Sequence, residues 1–129
     1  MSSEKAVILT KLASAAIAQY RVVYVDSSTG KVSYADAKNA AADLVGVALT
    51  SASGDGMPVD VQFTGVCRCV IGDTTVAAGA LLMCGTSGTI GMGIAQTGAG
   101  ARSFGCLSQL ITSGAGQEAL VLLQKQFIS

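Results

Sequence analysis

The sequence predicts an all-β chain. It reads as a small sandwich or barrel built from two tandem copies of a β unit of about 59 residues, with an N-terminal arm. Three observations predict this. β-branched and aromatic runs alternate with short turn signals. One long segment alternates apolar and polar residues with a period of two. The order of strands and glycines in the first half recurs in the second.

Tyr20–Asp26 (YRVVYVD) is rich in residues that suit a pleated surface. Ser27 to Gly30 supplies a turn and Lys31–Tyr34 resumes an extended pattern, so the three together read as a hairpin. Ala35–Asp43 is alanine-rich and long enough only for a helical turn. Gly46–Thr50 is a further short strand, and Ser51–Gly56 (SASGDG) is a loop. From Val59 to Ile71 the odd positions are Val59, Val61, Phe63, Gly65, Cys67, Cys69 and Ile71. The even positions carry Asp60, Gln62, Thr64 and Arg68, together with Val66 and Val70. Successive side chains on a strand point to opposite faces, so this is a half-buried strand with its odd face inward and a bend or bulge at Gly65. Lys11–Gln19 has helix-forming residues, but its counterpart in the second half contains Gly79, and a turn leading into a strand is the expectation.

The recurrence is regular. Ile17–Val23 finds Val76–Leu82, Gly46 finds Gly105, Gly56 finds Gly116, and the turn at Gly30 finds Gly88. The repeats are therefore taken as residues 13–72 and 73–129, forming one β domain over 13–129. Val22/Leu81, Val47/Cys106 and Val61/Val121 are expected at matching core positions. Two copies are too few for a solenoid, so two halves closing one sandwich or barrel is the better inference. Residues 1–12 have no counterpart and read as an arm. The apolar run Ala6, Val7, Ile8 and Leu9 within it is the candidate partner-binding segment, suited to adding a strand to a neighbouring sheet edge. The competing reading is an ordinary first strand packed on its own chain.

Composition narrows the function classes. The 129 residues carry 8 basic and 8 acidic side chains, a charged fraction of 12%, where about 25% is usual. Half the residues are apolar and mean hydropathy is +0.56. Balanced, sparse charge argues against nucleic acid and against a polybasic membrane anchor. No run approaches the length of a membrane-spanning helix, and Met1–Thr10 does not read as a signal peptide. A chain this apolar and poorly charged is expected to have much of its surface covered by other subunits.

The chemistry-bearing residues are few. There is no histidine, which removes Ser–His and Cys–His nucleophile–base pairs. Gly91–Gly93 and Gly98–Gly100 do not extend to a dinucleotide fingerprint, and there is no phosphate-binding loop of the P-loop type. Asp55, Asp60 and Asp73 read as turn and strand-edge residues rather than a catalytic pair. Four cysteines without a signal sequence imply a reducing compartment and free thiols, and the Cys67/Cys69 spacing suits two small core side chains on one strand face. No catalytic, cofactor or metal site is expected, and no small-molecule substrate.

Ile17 before a strand, the Asp26–Gly30–Val32 hairpin, Gly46-Val47-Ala48-Leu49, Gly56-Met57-Pro58-Val59-Asp60-Val61, Gly65 and Val76–Leu82 stand in a familiar order. Over about Ala13 to Leu123 this resembles the small capsid decoration, or cement, proteins of tailed bacteriophages. The chain departs from that pattern at Gln19-Tyr20, where a glycine is usual. The resemblance implies a non-enzymatic virion protein, made in the host cytoplasm and bound to the outer surface of an icosahedral head. It also implies a homotrimer that contacts the major capsid protein and stabilises the shell by adding contacts between its subunits, with no cofactor. A head-fibre base or tail-associated structural module is the alternative. A small-molecule-binding β-barrel is a third reading from a different class.

Overall fold

The structure is a computed structural model, and it describes residues 7–26, 28–35, 45–72, 79, 81–84, 91–95, 102–107 and 117–128. Every regular element in it is a strand: β1 (Val7–Leu12), β2 (Val22–Val25), β3 (Val32–Tyr34), β4 (Val45–Ala48), β5 (Pro58–Ile71), β6 (Leu81–Cys84), β7 (Gly93–Ala95), β8 (Arg102–Leu107) and β9 (Gln117–Ile128). The segments expected at Ala35–Asp43, Gly88 and Gly116 lie partly or wholly outside the described residues, as do Ala6 and Asp73.

The long alternating segment is β5, and it organises the fold. All seven odd positions from Val59 to Ile71 are buried. At Gly65 (φ 92°) the strand changes neighbours. Residues before it pair antiparallel with β1, from Leu12↔Pro58 to Val7↔Thr64, and with β4. Residues from Gly65 onward pair antiparallel with β9, from Gly65↔Leu123 to Ile71↔Gln117. One strand thus serves two units, and a conformation open to glycine lets it bend between them.

The second unit is a closed five-stranded barrel: β5 pairs β9, β9 pairs β8, β8 pairs β6, β6 pairs β7, and β7 returns to β5 through the parallel pair Ile71↔Gly93. The first unit follows the same circuit. β1 pairs β5, β5 pairs β4, β4 pairs β2 and β2 pairs β3. The parallel bridge Ala13↔Val32 closes it.

The registers repeat as well as the order. Val22↔Val47 and Val23↔Gly46 in the first unit correspond to Leu81↔Cys106 and Leu82↔Gly105 in the second. Val47↔Gln62 and Ala48↔Val61 correspond to Cys106↔Leu122 and Leu107↔Val121. The closing bond Ser14 N–H to Val32 O (2.9 Å) has its counterpart in Gly72 N–H to Gly93 O (2.8 Å). Val22/Leu81, Val47/Cys106 and Val61/Val121 therefore occupy equivalent register positions, but not all are equivalent in burial: Val61 and Val121 are both core, whereas Cys106 is half-buried where Val47 is buried.

Two details repeat for steric reasons. A Cβ on Gly46 would stand 2.6 Å from the Gln62 carbonyl oxygen, and one on Gly105 would run into the Leu122 carbonyl oxygen. Both positions need glycine because the facing strand's backbone passes too close. Tyr20 (φ 66°) and Gly79 (φ 83°) share the left-handed conformation. The tyrosine stands where the resemblance leads one to expect glycine, yet the turn is kept.

The hydrophobic core has two parts. Inside the first unit lie Ala13, Ile17, Val23, Val32, Ala48, Val59, Val61 and Phe63. Inside the second lie Cys67, Cys69, Ile71, Leu82, Ala119, Val121 and Leu123, joined by Val22, Ala35, Val45 and Val47 from the outer face of the first. The second core is thus completed by the first repeat. Val22 and Val47 are buried between the units and not within their own. Tyr34 strengthens this end: its hydroxyl accepts from Ala18 N–H (2.8 Å), and the Arg21 guanidinium lies 5.7 Å from its ring centre.

Candidate interaction surface

Surface chemistry comes mainly from apolar side chains left uncovered. β1 forms because Val7–Leu12 is β-prone and β5 offers it a long edge. Val7 N–H donates to Thr64 Oγ1 (3.2 Å) and Thr10 Oγ1 donates to Asp60 Oδ1 (2.7 Å), which sets the register. The segment expected as an arm is, from Val7 onward, a strand hydrogen-bonded to its own chain. It also has an equivalent: β1 corresponds to the second half of β5, Ala13↔Val32 matching Ile71↔Gly93. Of the predicted partner-binding residues, Val7, Ile8 and Leu9 sit consecutively on β1 and are 46, 48 and 45% exposed, and Leu12 is 48% exposed. Both faces of the strand are therefore open. Met57, 45% exposed, stands beside its end, where Ala13 N–H donates to Met57 O (2.8 Å).

A second apolar area was not singled out from the sequence. Val66 (59% exposed) and Leu120 (40% exposed) lie on the outer face of β5 and β9, with Val66 paired to the half-buried Leu122. Its signal is the pair of valines on the polar side of the β5 alternation. Val70 is covered by the first repeat, whereas Val66 is not.

The polar groups are engaged in local structure. Asp55 pairs with Lys31 (2.9 Å) at an exposed site, an interaction of small energetic weight. Asp60 accepts from Thr10, and its N–H donates to Thr50 Oγ1 (3.1 Å). Asp26 holds the β2–β3 turn by accepting from Ser28 N–H (2.9 Å) and Ser28 Oγ (2.8 Å), and these bonds keep its carboxyl below the ordinary range. Cys67, Cys69 and Cys106 form no disulfide. Burial pushes the Cys67 thiol up to about 12, which leaves almost no thiolate at neutral pH and makes it a core side chain rather than a nucleophile. Among the described residues no group of three His, Cys, Asp or Glu side chains is placed to hold a metal ion. No helix among them is long and apolar enough to cross a membrane.

With this geometry in view, the comparison with solved structures is informative. The fold is similar to the N base of the bacteriophage phi29 head fiber protein gp8.5. The likeness has a TM-score of 0.66 at 17% identity and covers 97% of this chain and 99% of that one. At that identity it is a likeness of fold. It extends across both repeats. No protein-family model matches the chain, and no curated protein does.

Proposed function

We propose that the chain is a non-enzymatic structural protein of a bacteriophage virion, seated on the outer surface of the head. The observation that carries this reading is the end-to-end likeness to a phage head fiber base. Sparse charge and exposed apolar strands support it, since an assembly module works by covering such surfaces. The partner is the major capsid protein. Each docked module adds contacts across neighbouring shell subunits, so opening the shell must break those contacts too, and stabilisation rises with occupancy. The second reading, favoured by the description of gp8.5 as a head fiber, is a base that anchors a projecting fiber without strengthening the shell.

Phage particles lacking the protein, titrated with purified chain, test this. Saturable density on the outside of the head by electron cryomicroscopy is expected. A rise in the temperature at which the particles release DNA marks the stabilising role, and decoration without that rise marks the fiber-base role. Absence of binding to heads, or density confined to the tail, would overturn the proposal.

A further inference from the structure

The joint between the two repeats is built like a plug in a socket. Among the described residues β5 and β7 meet at Ile71↔Gly93 alone, and the strands part beyond that pair. The Tyr20–Val22 segment of the first repeat fills the gap. Val70 N–H donates to Tyr20 O (2.9 Å), and Val22 N–H donates to Gly91 O (2.8 Å). The outer face of β2 and β4 follows it in, with Val22, Val45 and Val47 joining the cluster that contains Cys67 and Cys69. As a result Cys67 and Val70 are each only 7% exposed, and Gly91 is buried.

The first repeat has the same socket, and none of the described residues fills it. Its equivalents follow from the register: Leu9 for Cys67, Leu12 for Val70 and Gly30 for Gly91. Leu9 and Leu12 are 45 and 48% exposed, and Gly30 is exposed. The backbone is poised as in the filled socket. Ala13 N–H turns toward Met57 O and Ser14 N–H toward Val32 O. Alternation along the strand therefore sends Leu12 N–H to the open side, as Val70 N–H is sent toward Tyr20. The one chemical departure is the half-buried Lys11, standing where the second repeat has Cys69; its apolar stem can lie along the socket wall with the ammonium in water. Lys31, the other cation at this rim, is neutralised by Asp55.

The second repeat likewise has a plug with no socket among the described residues. Gly79 and Leu81 are the equivalents of Tyr20 and Val22, and Gly79 has the left-handed backbone of Tyr20, with nothing within 4 Å of where its Cβ would be. Cys106 holds the register position of Val47. We propose that the open socket between β1 and the β2–β3 turn receives the second repeat of another copy of this chain, by the contacts that already join the two repeats. The next chain's Gly79 carbonyl accepts from Leu12 N–H, and its Leu81 N–H donates to the Gly30 carbonyl. One surface docks on a different surface, so the contact is head-to-tail and joins chains plug to socket. This inference stands apart from the proposed virion role.

The test uses the full chain and its mass in solution by light scattering after size exclusion. Wild type is expected as an oligomer. Leu12→Pro removes an N–H that faces away from β5, and Cys106→Lys puts an ammonium on the plug side. Each variant alone is expected as a folded monomer with wild-type circular dichroism. If Leu12→Pro does not fold, Leu9→Asp replaces it. Mixing the two variants leaves one intact plug and one intact socket, and a one-to-one pair is expected. Wild type that stays monomeric to millimolar concentration, oligomers unaffected by both substitutions, or variants that remain monomers when mixed would each overturn the proposal.

Discussion

Replacing Gly46 by alanine tests the close passage of β4 over β5. In an open strand the change would be mildly favourable, because glycine in a strand interior costs about 0.5–1 kcal/mol relative to alanine. Here the new methyl would lie 2.6 Å from the Gln62 carbonyl oxygen, 2.8 Å from Val61 Cγ1 and 2.9 Å from Phe63 Cδ1. The first neighbour is backbone in the central strand, held on its other side by β1, so it cannot swing away as a side chain could. Overpacking of this kind costs about 1–3 kcal/mol, and a clash against backbone belongs at the upper end. After that favourable offset a net loss of about 2 kcal/mol is expected, read by urea unfolding as a lower midpoint at unchanged slope. In thermal unfolding it corresponds to a fall of about 8 °C for a chain of this length. Gly54→Ala is the control, since its Cβ meets nothing within 4 Å and its backbone is not left-handed; a change within about 0.5 kcal/mol is expected. Gly46→Ala unfolding within the same margin of wild type would refute the reasoning.

Gly79→Ala should cost about 1–2 kcal/mol through backbone strain alone, because the position is left-handed but has open space around it; unfolding midpoints of Gly79→Ala and Gly79→Asn compare this, with asparagine the milder change. Cys67 sets a pH dependence. Its folded-state pKa lies above the ordinary value of 9.0, so the unfolded chain loses its proton first and stability falls as pH rises from 9 toward 12. The loss is at most about 1.4 kcal/mol per pH unit in that window, and urea unfolding at pH 7 and pH 10 should show it in wild type and not in Cys67→Ala.

What could be read in the sequence was whatever leaves a mark on one strand. The alternation from Val59 to Ile71 was legible because one face meets the core along its whole length. The same pattern could not say what covers the even face, so Val70, sealed under Tyr20, and Val66, open to solvent, looked alike. The repeat was legible from spaced glycines except where a loop changes length. Six residues separate β2 from β3, but eight separate β6 from β7, so the structural counterpart of Gly30 is Gly91 and not Gly88. The first turn was obscure for an energetic reason. A tyrosine can adopt the left-handed conformation at a cost of about 1–2 kcal/mol when its surroundings hold it there, and Tyr20 is held by hydrogen bonds to Ala48 and Val70. Val7–Leu12 carries apolar residues on both faces, which suits an arm and an edge strand equally. Only the length of β5, a neighbour distant in sequence, decides that it pairs at home.

The duplication also accounts for the composition. A lone barrel of this kind would need a polar outer face all round. Here the outer face of β2 and β4 is core, because Val22, Val45 and Val47 join the second repeat's cluster. Fully burying three such side chains contributes at most about 1.5–3 kcal/mol each, so the joint between repeats is a substantial part of what holds the chain together. Yet the joint uses one socket of two and one plug of two. Leu9 and Leu12 keep apolar side chains at sites whose equivalents are sealed in the second repeat. If the first socket faced only water, the exposed half of Leu9 and of Leu12 would contribute nothing to folding. An apolar pair at this rim is what a second occupant of the same shape requires.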